Sequence, residues 1–158
     1  MFSRHTDRPI GIHFMLMPSP QCGSFPTDLQ PLLEELANDI CGKCSCAFRA
    51  LTVLDDHLHI MLASSDEDVV QAFFSTFMDR GLDLIRGTGE PCKNFDWDDK
   101  VHVTLVPPWH VDIMTAFVRD QAYYHRSHTF SQEIDEIFMP SASREIVDDS
   151  VELRQQVS

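Results

Sequence analysis

The chain has 158 residues, of which 43% are hydrophobic and 23% are charged, which fits one globular domain and is too short for two comfortable ones. The apolar run at residues 10–17 is far shorter than the roughly 20 residues that span a bilayer, and the N-terminus lacks a secretory cleavage pattern, so we expect a cytoplasmic protein without membrane contact. The net charge of −13 argues against an ordinary nucleic-acid-binding protein, because such proteins present a basic face.

The first predicted elements are a strand, a long loop and a helix. Residues 10–17 alternate as a strand does, and the Pro, Gly and Ser content of residues 18–26 predicts a loop. Thr27 and Gln30 have the spacing of a capping box. Apolar residues then recur at helical spacing until Gly42, which is a typical helix C-terminal signal.

A hairpin and a second helix follow. Residues 46–54 and 57–63 are two strand-like runs joined by a pair of aspartates, which predicts an antiparallel hairpin. Ser65, followed by acidic residues 66–68, predicts a capped helix start. The residues of this helix that should face the core are Val70, Phe73, Phe74, Phe77 and Ile85.

The last predicted elements complete a known arrangement. Residues 101–106 alternate as a fourth strand, and a pair of prolines separates them from a third helix at about residues 111–126. The order β-α-β-β-α-β predicts an α+β, ferredoxin-like (split βαβ) fold, in which a four-stranded antiparallel sheet carries its crossover helices on one face and leaves the other face open. We expect residues 1–139 to form the domain and the acidic residues 140–158 to form a flexible tail.

Histidines on the predicted sheet are candidates for a metal site. His57 and His59 point to the same side of the third strand because side chains alternate along a strand. The usual strand order of this fold allows His13 and His102 to share that face. Two histidines at this spacing can hold one divalent metal and leave positions for oxygen ligands and a phosphate. Polar residues on a solvated face give the same pattern, so the pair alone leaves both interpretations open.

Five cysteines cannot all pair within one chain, which is more typical of a reducing compartment than of a disulfide framework. Three of them, Cys41, Cys44 and Cys46, lie in the segment CGKCSC. A zinc site there would have to recruit Cys22, Cys92 or a histidine, since zinc usually takes four ligands. Free thiols at a helix end and a strand start are the simpler interpretation.

Three segments resemble, in chain order, parts of one protein family. They are LDDHLHIML, FDWDDKVHVTLV, and AFVRDQAYYHRSHTF followed by SQEIDEIF. The last segment resembles a pattern in which Tyr, an apolar residue, two variable residues and Gln precede paired histidines, an arginine and a Phe-led acidic helix. The family is that of the single-tyrosine HUH transposases, of the insertion-sequence-200-like and REP-associated kind.

The resemblance implies a chemistry and assigns residues to it. His57 and His59 match the metal pair, which binds Mg²⁺ or Mn²⁺, and Gln121 matches the glutamine that completes the metal site. In the family the metal polarises a phosphate of single-stranded DNA, and a helix-borne tyrosine attacks it to leave a 5′-phosphotyrosine. The implied partners are single-stranded or hairpin DNA, bound less tightly because of the charge of −13, and a second copy of the chain.

The nucleophile position departs from the family pattern. Phe117 stands four residues before Gln121, and a phenyl ring has no oxygen that could bond to phosphorus. Phe117 also fits the apolar stripe of the third helix. Tyr124 lies two turns further on, about 10 Å along a straight helix axis, so we do not expect it to replace the missing tyrosine.

The leading hypothesis is a transposase-family domain that has lost tyrosine-dependent cleavage and is retained for nucleic-acid binding or regulation. Metal-activated water could still hydrolyse a phosphodiester, so the enzyme question stays open. One alternative is a metal-independent two-histidine phosphoesterase, suggested by the H-x-T motif at His102 and Thr104. The other is a non-enzymatic dimeric interaction domain.

Overall fold

Four segments rich in apolar and β-branched residues form one antiparallel sheet in the computed structural model, which describes residues 8–26, 28–125 and 132–134. The strands are β1 (Ile10–Pro18), β2 (Ala47–Val53), β3 (Leu58–Ser64) and β4 (Trp97–Val106). Their order is β2-β3-β1-β4, and every neighbouring pair is antiparallel. The predicted ferredoxin-like fold is confirmed. The proposed tail at residues 140–158 lies outside the described residues.

Two helices cover one face of the sheet. They are α1 (Gln30–Gly42) and α2 (Glu67–Arg86). Among the described helices, none combines the length and the apolar character that crossing a membrane requires. The predicted inward residues of α2 are confirmed, since Phe73, Phe74, Phe77 and Ile85 are buried and Val70 packs against them.

The helix starts differ from the prediction in detail. Asp66, rather than Ser65, caps α2, and its carboxylate accepts a hydrogen bond from the Asp68 backbone N–H at 2.9 Å. The N-cap of α1 is Leu29, whose side chain makes no capping bond. Gln30 instead donates to Glu34. Thr27, the other half of the predicted capping box, lies outside the described residues.

Strand β4 begins four residues earlier than the alternating run predicts. Trp97 is buried and pairs with Pro18 of β1. Its indole N–H donates to the Met78 carbonyl of α2 at 3.0 Å. The start of this strand is therefore held by an aromatic side chain. Two consecutive aspartates follow Trp97 and interrupt the alternation of apolar and polar residues, so the pattern does not predict this part of the strand.

The second face of the sheet is covered, so the prediction of an open face is wrong. Two further helices, α3 (Val111–Arg119) and α4 (Gln121–Tyr124), follow the sheet. Helix α3 packs across β1, β2 and β3. The buried apolar residues of this second layer are Ala50, Met61, Ala63, Val106, Val111 and Val118.

The predicted single helix at residues 111–126 is interrupted at Asp120, whose backbone angles are φ −94° and ψ 18°. Side chains satisfy two carbonyls at the break, where an intrahelical bond would otherwise be needed. Thr52 donates from its hydroxyl to the Val118 carbonyl at 2.6 Å, and Gln121 donates from its amide to the Phe117 carbonyl at 3.2 Å. The break is thus stabilised by side-chain hydrogen bonds from Thr52 in β2 and from Gln121 itself.

Gly11 lies close to the start of α3, where an added Cβ would be 3.1 Å from Val111 Cγ2. Replacing Gly11 with alanine is expected to destabilise the fold. The added Cβ would lie 2.5 Å from the Met61 methyl group and 2.9 Å from Val106 Cβ. The Met61 side chain can rotate away, but Val106 Cβ moves only with its backbone, so we expect a loss of about 1–3 kcal/mol in the free energy of unfolding. Urea denaturation measures it.

The matched control for this prediction is Gly42→Ala, at the end of α1, where an added Cβ meets no atom within 4 Å among the described residues. That variant should unfold at a midpoint equal to or above that of the native protein, because alanine stabilises helices relative to glycine. Equal stability of the two variants would show that the Gly11 contact does not limit packing.

Candidate metal centre

The two histidines singled out in the sequence lie on the sheet face that α3 and α4 cover. His59 is in β3, and His57 directly precedes that strand. The predicted shared orientation is confirmed, because the ring centroids are 5.0 Å apart. His57 is 1% exposed and His59 is 0% exposed, so the pair does not belong to a solvated polar face.

Two residues from the C-terminal half of the chain complete a group of possible ligands. His125 follows α4 directly, and Glu133 lies in the short described segment at residues 132–134. One ligand atom from each of His57, His59, His125 and Glu133 lies within 4.8 Å of the others. Among the described residues this is the single group of histidine, cysteine and acidic side chains that could hold a metal ion.

Glu133 stands at the middle of this group. Its Oε1 lies 3.2 Å from His57 Nε2 and 2.8 Å from His59 Nε2, while its Oε2 lies 2.8 Å from His125 Nε2. The carboxylate is fully buried. A buried charge is costly unless it is paired, so the three imidazoles are what makes this position of Glu133 possible.

The protonation states favoured here are those that metal binding needs. Burial would raise the pKa of Glu133, but its interactions with the imidazoles of His57 and His59 outweigh this effect and hold that pKa well below its ordinary value. Burial lowers the pKa of His59, against the opposing effect of Glu133. A charged carboxylate beside a neutral imidazole is the state in which both groups can donate electron pairs to a cation.

Two atoms of the predicted metal ligands are buried and have no hydrogen-bond partner within the part of the chain that the structure describes. They are His59 Nε2 and Gln121 Oε1. His59 Nε2 is close to Glu133, yet the contact lacks the alignment of a hydrogen bond. Buried polar atoms are normally paired, and a cation bound by the ligand group would satisfy the imidazole nitrogen of His59. The donor set therefore fits a divalent metal.

Gln121 is fully buried at the start of α4. Its amide nitrogen is bonded to the Phe117 carbonyl, which leaves its oxygen as the atom that could bind a metal. Its role as a ligand stays a prediction.

Phe117 lies at this centre. Its ring meets His59 edge-on, with the centroids 6.1 Å apart. It also packs against the second apolar layer, as the core interpretation predicts, while its assignment to the nucleophile position stays a prediction.

Tyr124 packs against Phe117. The two ring centroids are 5.3 Å apart, and the Tyr124 ring is 5.2 Å from that of His125. Whether Tyr124 can replace the missing tyrosine is not decided by this contact, and the expectation that it does not stays a prediction.

The H-x-T motif takes a different position. His102 and Thr104 do face the same side of the sheet as His13, since Thr104 pairs with His13 and His102 pairs with Met15. Met15 also pairs with His59, so the whole width of β1 separates His102 from the possible metal ligands. His102 does not belong to the ligand group.

The cysteine segment lies between α1 and β2, as a helix end and strand start would place it. Cys41 Sγ is 3.5 Å from Cys46 Sγ, and Cys44 Sγ donates to the Ile40 carbonyl. The hydrogen bond from the Cys41 thiol to the Cys46 sulfur raises the pKa of Cys41 and lowers that of Cys46.

No family model and no curated protein matches the chain. Among solved structures, the chain is similar to a "putative transposase" from Deinococcus radiodurans R1, whose crystal structure was determined at 1.90 Å resolution. The likeness covers 77% of this chain and 92% of the other, with 17% sequence identity and a TM-score of 0.49. A likeness of this strength does not identify a shared function.

Proposed function

We propose that this protein is a divalent-metal-binding domain of the HUH transposase type that has lost tyrosine-dependent cleavage of DNA. The observation that carries the proposal is the buried ligand group of His57, His59, His125 and Glu133 with a phenyl ring against it. Phe117 lies where the resembling family has its tyrosine, and its edge contacts His59.

The donor set guides the choice of metal. The resemblance implies Mg²⁺ or Mn²⁺. Three imidazoles beside one carboxylate, with the Gln121 oxygen as a further ligand, suit Mn²⁺ better than Mg²⁺, because Mg²⁺ prefers oxygen ligands and retains its waters. We therefore propose Mn²⁺, or a later transition metal, as the ion bound at this centre.

The bound metal would supply Lewis-acid polarisation of a phosphate oxygen. What the chain lacks is a hydroxyl at Phe117 to attack the phosphorus. The remaining role that we propose is binding of single-stranded or hairpin DNA, as a homodimer, for regulation rather than for transposition. The charge of −13 predicts weak binding, because acidic side chains repel the phosphates and only 12 basic residues are available to pair with them.

The test is to restore the missing hydroxyl. Native protein and Phe117→Tyr are incubated with labelled hairpin DNA and Mn²⁺, and covalent protein–DNA adducts are resolved on denaturing gels. We expect no adduct from the native protein and a detectable adduct from Phe117→Tyr, because the substitution places a phenol beside the metal ligands. Phe117→Leu, which removes the ring without adding an oxygen, is the matched control and should give none.

Two further variants separate the possible outcomes. The adduct of Phe117→Tyr should disappear when His57→Ala and His59→Ala are added, since the reaction needs the metal. Tyr124→Phe tests the neighbouring phenol, whose ring packs against Phe117. An adduct formed by the native protein and lost in Tyr124→Phe would contradict the proposal, because cleavage would then persist through another tyrosine.

A further inference from the structure

His13 is a buried imidazole that the proposed metal site does not use as a ligand. It lies in the central strand β1 and is fully buried. Its ring is nearly parallel to that of His59 and meets it edge to edge, with centroids 4.9 Å apart and an interplanar angle of 4°. A polar side chain with no exposed surface in the middle of a sheet calls for a physical reason.

The contact between these rings is specific. His13 Nε2 lies 2.7 Å from His59 Nδ1, while the opposite nitrogen of His59 is the one that faces Glu133. One ring nitrogen of His59 thus faces the ligand group and the other faces His13. The neighbouring ligand has the same arrangement, since His57 Nδ1 lies 2.7 Å from Asp56 Oδ1 and its Nε2 faces Glu133.

A metal on His59 Nε2 fixes the position of the ring proton. The lone pair of Nε2 would be donated to the cation, so the proton of the neutral ring must reside on Nδ1. That N–H then needs an acceptor, and His13 Nε2 is the atom at hydrogen-bond distance. His13 would in this state carry its own proton on Nδ1 and present a lone pair on Nε2.

We infer that His13 is a positioning residue for the metal centre: its Nε2 accepts a hydrogen bond from His59 Nδ1–H and so fixes the ring orientation and tautomer that metal ligation by His59 requires. This inference rests on the proposed metal site. Partners of this kind are usually carboxylates, carbonyls or waters, and their removal typically costs 10–100-fold in metal affinity. Here an imidazole takes that role.

The first experiment compares three variants by Mn²⁺ titration against a competing chelator. His13→Phe keeps an aromatic ring at this position but removes the acceptor, and we expect about 10–100-fold weaker binding. His13→Gln places an amide oxygen at the position of Nε2, and binding within a few-fold of native is expected. His102→Gln, across Met15 from His59, is the control for an imidazole lost from the same face. Native-like affinity of His13→Phe would overturn the inference.

The second experiment needs no substitution and so does not depend on the variants folding. In protein labelled with ¹⁵N-histidine and loaded with diamagnetic Zn²⁺, we expect an N–N coupling across the hydrogen bond, with the proton assigned to His59 Nδ1. A proton on His13 Nε2, or no coupling, would contradict the assigned role. A native protein that binds neither Mn²⁺ nor Zn²⁺ would contradict the proposed function itself. A protein that binds metal but lacks the coupling would contradict only the role of His13.

Discussion

Replacing His57 and His59 together with alanine is expected to weaken Mn²⁺ binding by at least about 100-fold, because two of the four clustered ligands disappear. The substitutions also leave the Glu133 carboxylate buried with one imidazole neighbour instead of three. An uncompensated buried charge costs several kcal/mol, so the metal-free variant should also lose stability. Chelator competition measures the affinity, and circular dichroism checks that the variant is folded at the titration temperature.

His110→Ala is the control for this prediction, since it removes an exposed imidazole from the turn that precedes α3. Its Mn²⁺ affinity should equal that of the native protein. If the double variant is folded and binds Mn²⁺ as tightly as native, the metal lies elsewhere in the chain.

The largest effect on stability is expected at Phe14, on the opposite side of the same strand as His13. Its ring is 5.7 Å from Phe74 and 6.2 Å from Phe73, and it is 1% exposed. Phe14→Ala should lower the free energy of unfolding by about 3–5 kcal/mol, a large share of the roughly 5–15 kcal/mol of an ordinary domain. Urea denaturation at constant temperature measures the loss.

Leu105→Ala supplies the comparison, because Leu105 is on the edge strand β4 and is 54% exposed. That variant should lose less than about 1 kcal/mol, as exposed substitutions usually do. Similar losses at the two positions would mean that the Phe14 cluster is not the stabilising core.

The fold could be predicted because its signals are local. Alternation in β1 and β3, helical spacing in α2 and the aspartate turn between the hairpin strands each specify an element without reference to the rest of the chain. Once the order of elements is known, few topologies remain. The shared face of His57 and His59 follows from the same alternation.

The rest of the site depends on contacts between distant parts of the chain. The break at Asp120 is supported by Thr52, a residue of β2, and no periodicity in residues 111–126 reveals that bond. His125 and Glu133 are eight residues apart, and their side chains meet at 2.8 Å. The sequence signal for these two residues is the family resemblance, whose segments include both of them without assigning either a role in the site.

X-ray absorption spectroscopy of the protein loaded with one equivalent of Mn²⁺ tests most directly whether a metal is held by the histidine–glutamate group. We predict a first shell of nitrogen and oxygen only, with the multiple-scattering pattern of two or three imidazoles, and its loss in the variant that carries both His57→Ala and His59→Ala. Sulfur in the first shell would place the ion at the thiols of Cys41, Cys44 and Cys46. That result, or a shell without imidazole, would contradict the proposed centre.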